Sequence, residues 1–235
     1  FAADEVASSI YAYGYDVNGN RLTKTITDAN TLVTTTDHTY VYDQENRLKS
    51  VNDTTGDIFN ATYDYRTRRI EKGEGTTQAQ NTLKTTKYVY DGGVTCQEFS
   101  VDGSSVSLVK QYVRGNGMGG GIGSVLYMER AQDNAGIDST ISDFYNDKGY
   151  LNNGPSLIPE YYAYNAVGSV VANTDQQGLT IRENDFDAYG NVTREQDWTS
   201  DNFPAEFGGS QNDLLFSTKE RDFSTGLDYF GFRYY

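Results

Sequence analysis

The feature that most constrains this 235-residue chain is a short unit, Tyr-x-Tyr running into an acidic or amide turn, that recurs along its first half. Tyr13-Gly-Tyr15-Asp16-Val-Asn-Gly19-Asn20-Arg21-Leu22 is the first copy. Tyr40-Val-Tyr42-Asp43-Gln-Glu-Asn46-Arg47-Leu48 is the second, read as one residue shorter in its turn. Tyr63-Asp-Tyr65-Arg-Thr-Arg68-Arg69-Ile70 is a third, read as lacking the Asp after its second Tyr. Tyr88-Val-Tyr90-Asp91-Gly92-Gly93 opens a fourth. The second tyrosines are 27, 23 and 25 residues apart, a period that suits a strand-turn-strand unit with its connection. Tyrosines at i and i+2 share one strand face, so each pair sets two rings side by side. Asp with Asn or Gly then turns the chain, and Arg-Leu opens the return strand, Leu facing a core and Arg packing over tyrosine rings. The Thr-rich runs Thr23–Thr27, Thr31–Thr36 and Thr82–Lys87 read as strands with a wet face, because Thr is β-branched. One hairpin is marginal alone, and stacked neighbours bury the rings. The pattern predicts an all-β array of stacked β-hairpins.

Composition agrees. Twenty Tyr and 24 Gly with only 3 Pro indicate many left-handed turns and few interrupted strands. The charge of −14, from 19 Lys+Arg against 33 Asp+Glu, argues against nucleic acid and anionic membranes as partners. No apolar run reaches the length of a membrane span. The single cysteine, Cys96, has no intramolecular disulfide partner, and the single histidine, His38, leaves no pair for a metal site. The chain opens Phe1-Ala-Ala, without Met or a signal peptide, and is expected to be a fragment of a longer protein.

The tail, Asp222 to Tyr235, reads as a turn (Asp222 to Gly226) followed by an aromatic strand. Upstream of it, Gln111 to Gly123 is a glycine-rich strand, and Tyr161-Tyr-Ala-Tyr164-Asn165 is another tyrosine unit with Asn in place of Asp. Asp187-Ala-Tyr189-Gly190-Asn191 is a further turn. Irregular, polar stretches near 127–158 and 195–215 read as loop excursions.

The ordered series of Tyr-Asp units, closed by Thr225-Gly226-Leu227-x-Tyr229-x-x-x-Arg233-Tyr234-Tyr235, resembles the Rhs/YD-repeat family, whose relatives include Tc-toxin C components and teneurins. The resemblance implies repeats wound as a spiral sheet into a hollow shell, with a core-associated segment sealing one end. It implies a YD array over 1–110 and a core segment over 111–235, continuous with the same sheet. In toxin members such a shell encloses a C-terminal effector. A self-cleavage site follows the Arg-Tyr-Tyr motif in many bacterial members, which would put it beyond Tyr235. The implied partners are the rest of the protein's own shell and an enclosed effector, in a secreted or cell-surface setting.

Residues with possible chemistry have plainer readings. Gly115-x-Gly117-x-x-Gly120 matches a dinucleotide fingerprint, yet Ile122 to Tyr127 after it is strand-like where a helix is required. Asp16-Val-Asn18-Gly19-Asn20 starts like a calcium loop but has Arg21 and Thr27 where Gly and Glu are needed. No Gly-x-Ser-x-Gly elbow accompanies His38, and Cys96 lies in a strand from Val94 to Phe99. Asp185 and Asp187 share a strand face at a spacing common among surface carboxylates. No catalytic, cofactor or metal residue is therefore assigned. The repeat positions Tyr13, Tyr15, Asp16, Gly19, Arg21, Tyr40, Tyr42, Asp43, Arg47, Tyr63, Tyr65, Arg69, Tyr88, Tyr90 and Asp91 are expected to be structural. So are the core positions Gly168, Asp187, Tyr189, Gly190, Thr225, Gly226, Leu227, Tyr229, Arg233, Tyr234 and Tyr235.

Two functional readings stand. One is a non-enzymatic shell or scaffold segment. The other is an adhesive or self-assembling module that binds glycan or protein through a tyrosine-rich face. An enzyme is a distant third.

Overall fold

A computed structural model describes residues 9–75, 83–117, 121–131, 157–197, 212–231 and 233–235. The Tyr-Asp units double back because each aspartate closes its turn with its own side chain. At Asp43, Oδ1 accepts the N–H groups of Glu45 (2.9 Å) and Arg47 (3.0 Å). The Asp43 N–H donates to the Arg47 carbonyl at 3.0 Å, and the Asp43 carbonyl accepts from the Asn46 N–H at 3.1 Å. Asn46, fourth in the turn, is left-handed at φ 60°, a conformation that Asn and Gly tolerate best. The same five-residue turn recurs at Asp16, Asp64, Asn165, Asp175 and Asp187. Gly19, Thr67, Gly168, Gly178 and Gly190 take the left-handed fourth place. In each hairpin the ladder slips register just before the turn. That slip is the bulge that three-residue hairpin connections carry.

This geometry corrects two alignments. The third copy keeps its aspartate as Asp64, so Tyr63 corresponds to Tyr42 and Ala61 to Tyr40. Tyr65 therefore sits in the turn, 85% exposed, and not on the strand. The first two turns are equal in length, with Asn20 and Arg47 both fifth. Arg21, Leu48 and Arg69 are then equivalent, each opening its return strand.

Among the described residues there are sixteen strands. They are β1 (Ser9–Tyr15), β2 (Arg21–Asp28), β3 (Thr34–Tyr42), β4 (Leu48–Asn52), β5 (Asp57–Tyr63), β6 (Arg69–Glu74), β7 (Lys84–Asp91) and β8 (Val94–Asp102). Next come β9 (Ser105–Arg114), β10 (Val125–Ala131), β11 (Leu157–Tyr164), β12 (Val170–Thr174), β13 (Thr180–Phe186) and β14 (Val192–Asp197). The first fourteen form one sheet in chain order, and the short β15 (Glu220–Asp222) and β16 (Leu227–Tyr229) form a second, two-stranded sheet. The described residues contain no α-helix.

Several expected boundaries move. β10 and β11 take in 127–131 and 157–158, β14 takes in 195–197, and residues 132–156 and 198–211 of the two excursions lie outside the described residues. Thr31 belongs to a turn closed by Asp28, not to a strand. Gly121 to Ser124 form a turn, so the strand expected from Ile122 begins at Val125. The tail is a strand that turns back, with Asp228 and Tyr235 exchanging backbone hydrogen bonds of 3.0 and 3.2 Å.

The chain divides into two compact units, Phe1–Lys87 with Asp222–Tyr235, and Tyr88–Arg221. In the first, Tyr40, Leu48, Val51, Ile58, Phe59 and Ala61 form a core with Leu227, and Tyr42, Tyr63 and Tyr234 pack against it. In the second, Tyr112, Val125, Met128 and Val170 pack with Leu214, flanked by Tyr162 and Tyr164. Each core thus combines strand side chains with residues from the last 24 positions of the chain.

Candidate functional site

In the first unit the site is built where β6 meets the tail. Arg69 takes the place that Leu48 fills in the preceding hairpin, so a guanidinium points into the core position. It is completely buried, and burial of an unpaired cation would be prohibitive. Asp222 supplies the counter-charge, with its Oδ2 3.0 Å from Arg69 Nη1. Nη1 also donates to the Tyr234 hydroxyl at 2.6 Å. The Arg69 N–H donates to the Tyr229 hydroxyl at 3.1 Å, and that hydroxyl donates to the Gly231 carbonyl at 2.7 Å. The guanidinium carbon lies 4.4 Å from the Tyr229 ring centroid, so cation–π attraction adds to the ion pair. Lys72 Nζ bridges Asp222 Oδ1 and Glu74 Oε2, each at 2.8 Å. Glu74 Oε1 in turn accepts the Ser224 N–H at 2.9 Å. Two cations and two carboxylates are thereby balanced around the turn from Asp222 to Gly226.

Burial governs the titration here. It pushes the Tyr63 and Tyr234 phenols well above their ordinary value, with Arg69 opposing only in part. It also pushes the Glu74 carboxyl up, but Lys72 and the Ser224 N–H outweigh it and hold Glu74 below the usual range.

In the second unit the strand face of β7 to β9 holds residues 212–221 in a comparable way. Glu98 and Lys110 are cross-strand partners on β8 and β9. Lys110 Nζ lies 2.7 Å from Asp213 Oδ2 and 3.7 Å from Glu98 Oε2. The Tyr112 hydroxyl donates to Glu98 Oε1 at 2.6 Å, and the Tyr88 hydroxyl donates to Glu220 Oε1 at 2.8 Å. Burial, with Asp213 and Glu220 nearby, pushes the Glu98 carboxyl up to about 7 against the pull of Lys110. Further along, the Thr218 hydroxyl donates to the Gly168 carbonyl and accepts the Gly123 N–H, both at 2.7 Å. The Phe216 ring sits where a Cβ on Gly190 would come within 2.7 Å of it. Arg182 donates to the Asn212 carbonyl at 2.9 Å, and Asn212 bonds Asn173 at 3.1 Å.

The expected positions fall into three groups. Tyr40, Tyr88, Arg69, Leu227 and Tyr229 are buried in these sites, with Tyr42, Tyr63 and Tyr234 packed beside them. Asp16, Asp43 and Asp187 close turns, Gly19, Gly168 and Gly190 hold their left-handed places, and Gly226 is left-handed at φ 70°. Thr225 Oγ1 accepts the Leu227 N–H at 3.2 Å. Arg21 lies 4.5 Å from the Tyr13 ring centroid and 5.7 Å from that of Tyr40, and Arg47 lies 4.9 Å from that of Tyr63. Tyr13, Tyr15, Tyr189, Arg233 and Tyr235 are exposed, and Tyr90 and Asp91 flank the β7–β8 turn. The sequence reading did not single out Asp222 as a counter-charge, nor Lys72, Glu74, Glu98, Lys110, Asp213 or Glu220. The available signal was Arg69 itself, a charge at a core position of the repeat, visible once the turns are aligned on their aspartates.

Residues weighed for chemistry are engaged locally. His38 Nδ1 lies 2.7 Å from Asp37, which also pairs with Lys24 at 2.7 Å. Asp185 pairs with Arg194 at 2.7 Å, while Asp187 is held by its own turn. Cys96 Sγ donates to the Val89 carbonyl at 3.3 Å. A Cβ at Gly117 would meet the Ile122 carbonyl oxygen at 2.5 Å, so its glycine serves close backbone packing. Among the described residues no group of three or more His, Cys, Asp or Glu converges as a metal site would.

The fold and its two charged seams define a hairpin-array protein whose own tail is docked on the sheet through buried ion pairs. Comparison with known proteins is consistent with that class. The chain is 30% identical over 224 residues to the tRNA nuclease WapA of Bacillus subtilis strain 168, covering 94% of this chain and 7% of the nuclease. It is 29% identical over 223 residues to the tRNA3(Ser)-specific nuclease WapA of Bacillus spizizenii, with the same coverage of both chains. Among solved structures, its fold is shared with part of the TcdB2-TccC3 complex, at TM-score 0.59 and 17% identity over 96% of this chain and 12% of that one. It is shared likewise with part of the Photorhabdus luminescens Tc holotoxin pore structure, at TM-score 0.57 and 17% identity, over 96% of this chain and 11% of that one. No protein-family model matches the chain. The chain thus spans about a tenth or less of the proteins it resembles.

Proposed function

We propose that this chain is a non-enzymatic shell segment of a large secreted or cell-surface Rhs/YD-repeat protein, a wall that in toxin-type relatives encloses a C-terminal effector. The observation that carries this reading is the use of the buried charges. Arg69, Lys72 and Lys110 are spent on Asp222, Glu74 and Asp213, all within the packing of the tail or its neighbouring turn. Cations neutralised by carboxylates of the tail or of its neighbouring turn serve to hold those segments on the sheet, which is a structural use of charge. The nuclease activity that names the Bacillus relatives is assigned here to parts of those proteins outside the 7% that this chain matches. Its partners are then the rest of its own shell and the enclosed effector, with no nucleic acid bound and no membrane inserted.

A second reading, an adhesive or self-assembling module, draws on one observation. Tyr11, Tyr13 and Tyr15 are exposed along β1, the first strand of the described sheet, with Lys24 over the Tyr11 ring and Arg21 over the Tyr13 ring.

Limited proteolysis of the full-length parent protein separates the two. A shell protects the segment that follows this one until the sheet itself unfolds. Cleavage of that segment at the rate of the free polypeptide, in a folded parent, overturns the shell reading and leaves adhesion.

A further inference from the structure

The second unit places three carboxyl groups, Glu98, Asp213 and Glu220, around one ammonium, that of Lys110. Glu98 belongs to the sheet, on β8, whereas Asp213 and Glu220 both belong to the 212–221 segment that lies on it. The ammonium is a full ångström nearer to Asp213 than to Glu98, at 2.7 against 3.7 Å. Glu98 is 4% exposed, so its charge is poorly screened by water and poorly matched by Lys110. An ionised Glu98 therefore repels the segment through both of its acidic side chains. A protonated Glu98 removes that repulsion and leaves Lys110 to the segment's own carboxylates, Asp213 at 2.7 Å and Glu220 nearby.

We propose that Glu98, Lys110 and Asp213 form a proton-operated clasp that tightens the 212–221 segment on the β8–β9 face as pH falls and loosens it as pH rises. The groups facing Glu98 are Lys110 and Tyr112 from β9, Tyr162 from β11, and Asp213 and Glu220 from the segment, with Tyr88 of β7 bonded to Glu220. Lys110 stays charged throughout the neutral range, since its carboxylate neighbours more than offset burial and raise its pKa. The Tyr112 and Tyr162 phenols are pushed well above their ordinary value by burial, so both stay neutral. The single histidine, His38, lies in the other unit. Glu98 changes charge near neutrality, its carboxyl pushed up to about 7.

The sign follows from linkage. The closed state binds a proton more tightly than the open state, so closure is favoured below the folded pKa and the advantage is lost as pH rises through it. This is opposite to the turn carboxylates.

Hydrogen exchange of the 212–221 amides, corrected for the intrinsic pH dependence of exchange, tests the clasp on the full chain. With a folded pKa of about 7, protection should rise about tenfold between pH 8 and pH 6. Glu98→Gln, an isostere of the protonated acid, should hold the acid-side protection at pH 8 and show no dependence across that window. Unchanged protection in the parent protein, or a pH dependence that survives in Glu98→Gln, overturns the proposal. Should that variant fail to fold, carboxyl carbon NMR of Glu98 in the unmodified chain decides. A midpoint near 7 supports the clasp, and one below about 5.5 sinks it.

Discussion

Arg69 and Tyr229, 160 residues apart in sequence, lie with guanidinium over ring at 4.4 Å and with the Arg69 N–H bonded to the Tyr229 hydroxyl. The contact ties the first residue of the third hairpin's return strand, β6, to the closing strand of the tail. Asp222 completes it by neutralising the guanidinium. The tail motif is therefore an attachment device as much as a strand, and its parts have separable energetic roles.

Removing Asp222 leaves two buried cations without their shared carboxylate. Asp222→Ala should cost about 3–5 kcal/mol, the scale of a broken buried ion pair. Replacing Arg69 and Asp222 together with apolar residues, as in Arg69→Met with Asp222→Leu, leaves Lys72 paired with Glu74 and should recover most of that loss. Urea denaturation of the three proteins checks both parts. A double variant no more stable than the single one contradicts the account.

Thr67 occupies the left-handed place of its turn at φ 65°, where the equivalent positions carry Gly or Asn. A β-branched side chain is strained there. Thr67→Asn should raise stability by about 0.5–1 kcal/mol, read as a higher denaturation midpoint with an unchanged slope. A fall in the midpoint would show that the Thr67 hydroxyl bond to the Arg66 carbonyl outweighs the strain.

Gly226 shows the reverse case. Nothing lies within 4 Å of a Cβ added there, yet its φ is 70°, so any penalty comes from the backbone alone. Gly226→Val should loosen the tail and lower the melting temperature, while Gly226→Asn should be milder. Equal melting temperatures for Val and the parent protein would remove the claim.

At Gly190 both penalties apply, φ 92° and the Phe216 ring within 2.7 Å of a new Cβ. Gly190→Ala should cost about 1–3 kcal/mol. In the Phe216→Leu background the loss from Gly190→Ala should shrink, because the ring carries the steric part. Additive losses would assign the whole effect to the backbone.

The turn carboxylates set the acid limit. Burial pushes Asp43 up, but the Arg47 N–H and guanidinium with the Glu45 N–H outweigh it, and Asp64 is held low against burial in the same manner by Arg68. A folded pKa below the unfolded value gives stability that is present above the unfolded value and lost as pH falls through the folded one. Stability of the first unit should therefore decline below about pH 4, and Asp43→Asn should remove part of that decline. A thermal melt series from pH 7 to pH 2 reads it directly.

The sequence carried the hairpins in full view, because Asp with a left-handed fourth residue is a local signal that needs no tertiary information. Tyr42 ends its strand and Gly190 holds the left-handed fourth place, while Arg47 closes its turn as the fifth residue and leaves Leu48 to open the return strand. Tyr65 did not fall where expected, since two tyrosines flank Asp64 and only the turn bonds say which one ends the strand. The charged seams were harder to see. Lys72 and Asp222 are 150 residues apart, and Glu98 looks like any strand glutamate until the 212–221 segment covers it. Burial of a charge is a tertiary fact, and a repeat pattern does not encode it locally.

Consecutive strand order has a consequence during synthesis. Each hairpin pairs with the one just made, so the sheet can assemble step by step as the chain leaves the ribosome. Lys72 emerges 150 residues ahead of Asp222, an interval of roughly 8–30 seconds at about 5–20 residues per second. Through that interval the nascent sheet carries cations that no carboxylate of the tail yet neutralises. A prematurely terminated chain never receives it, and arrives at the proteases with its third hairpin open and charged.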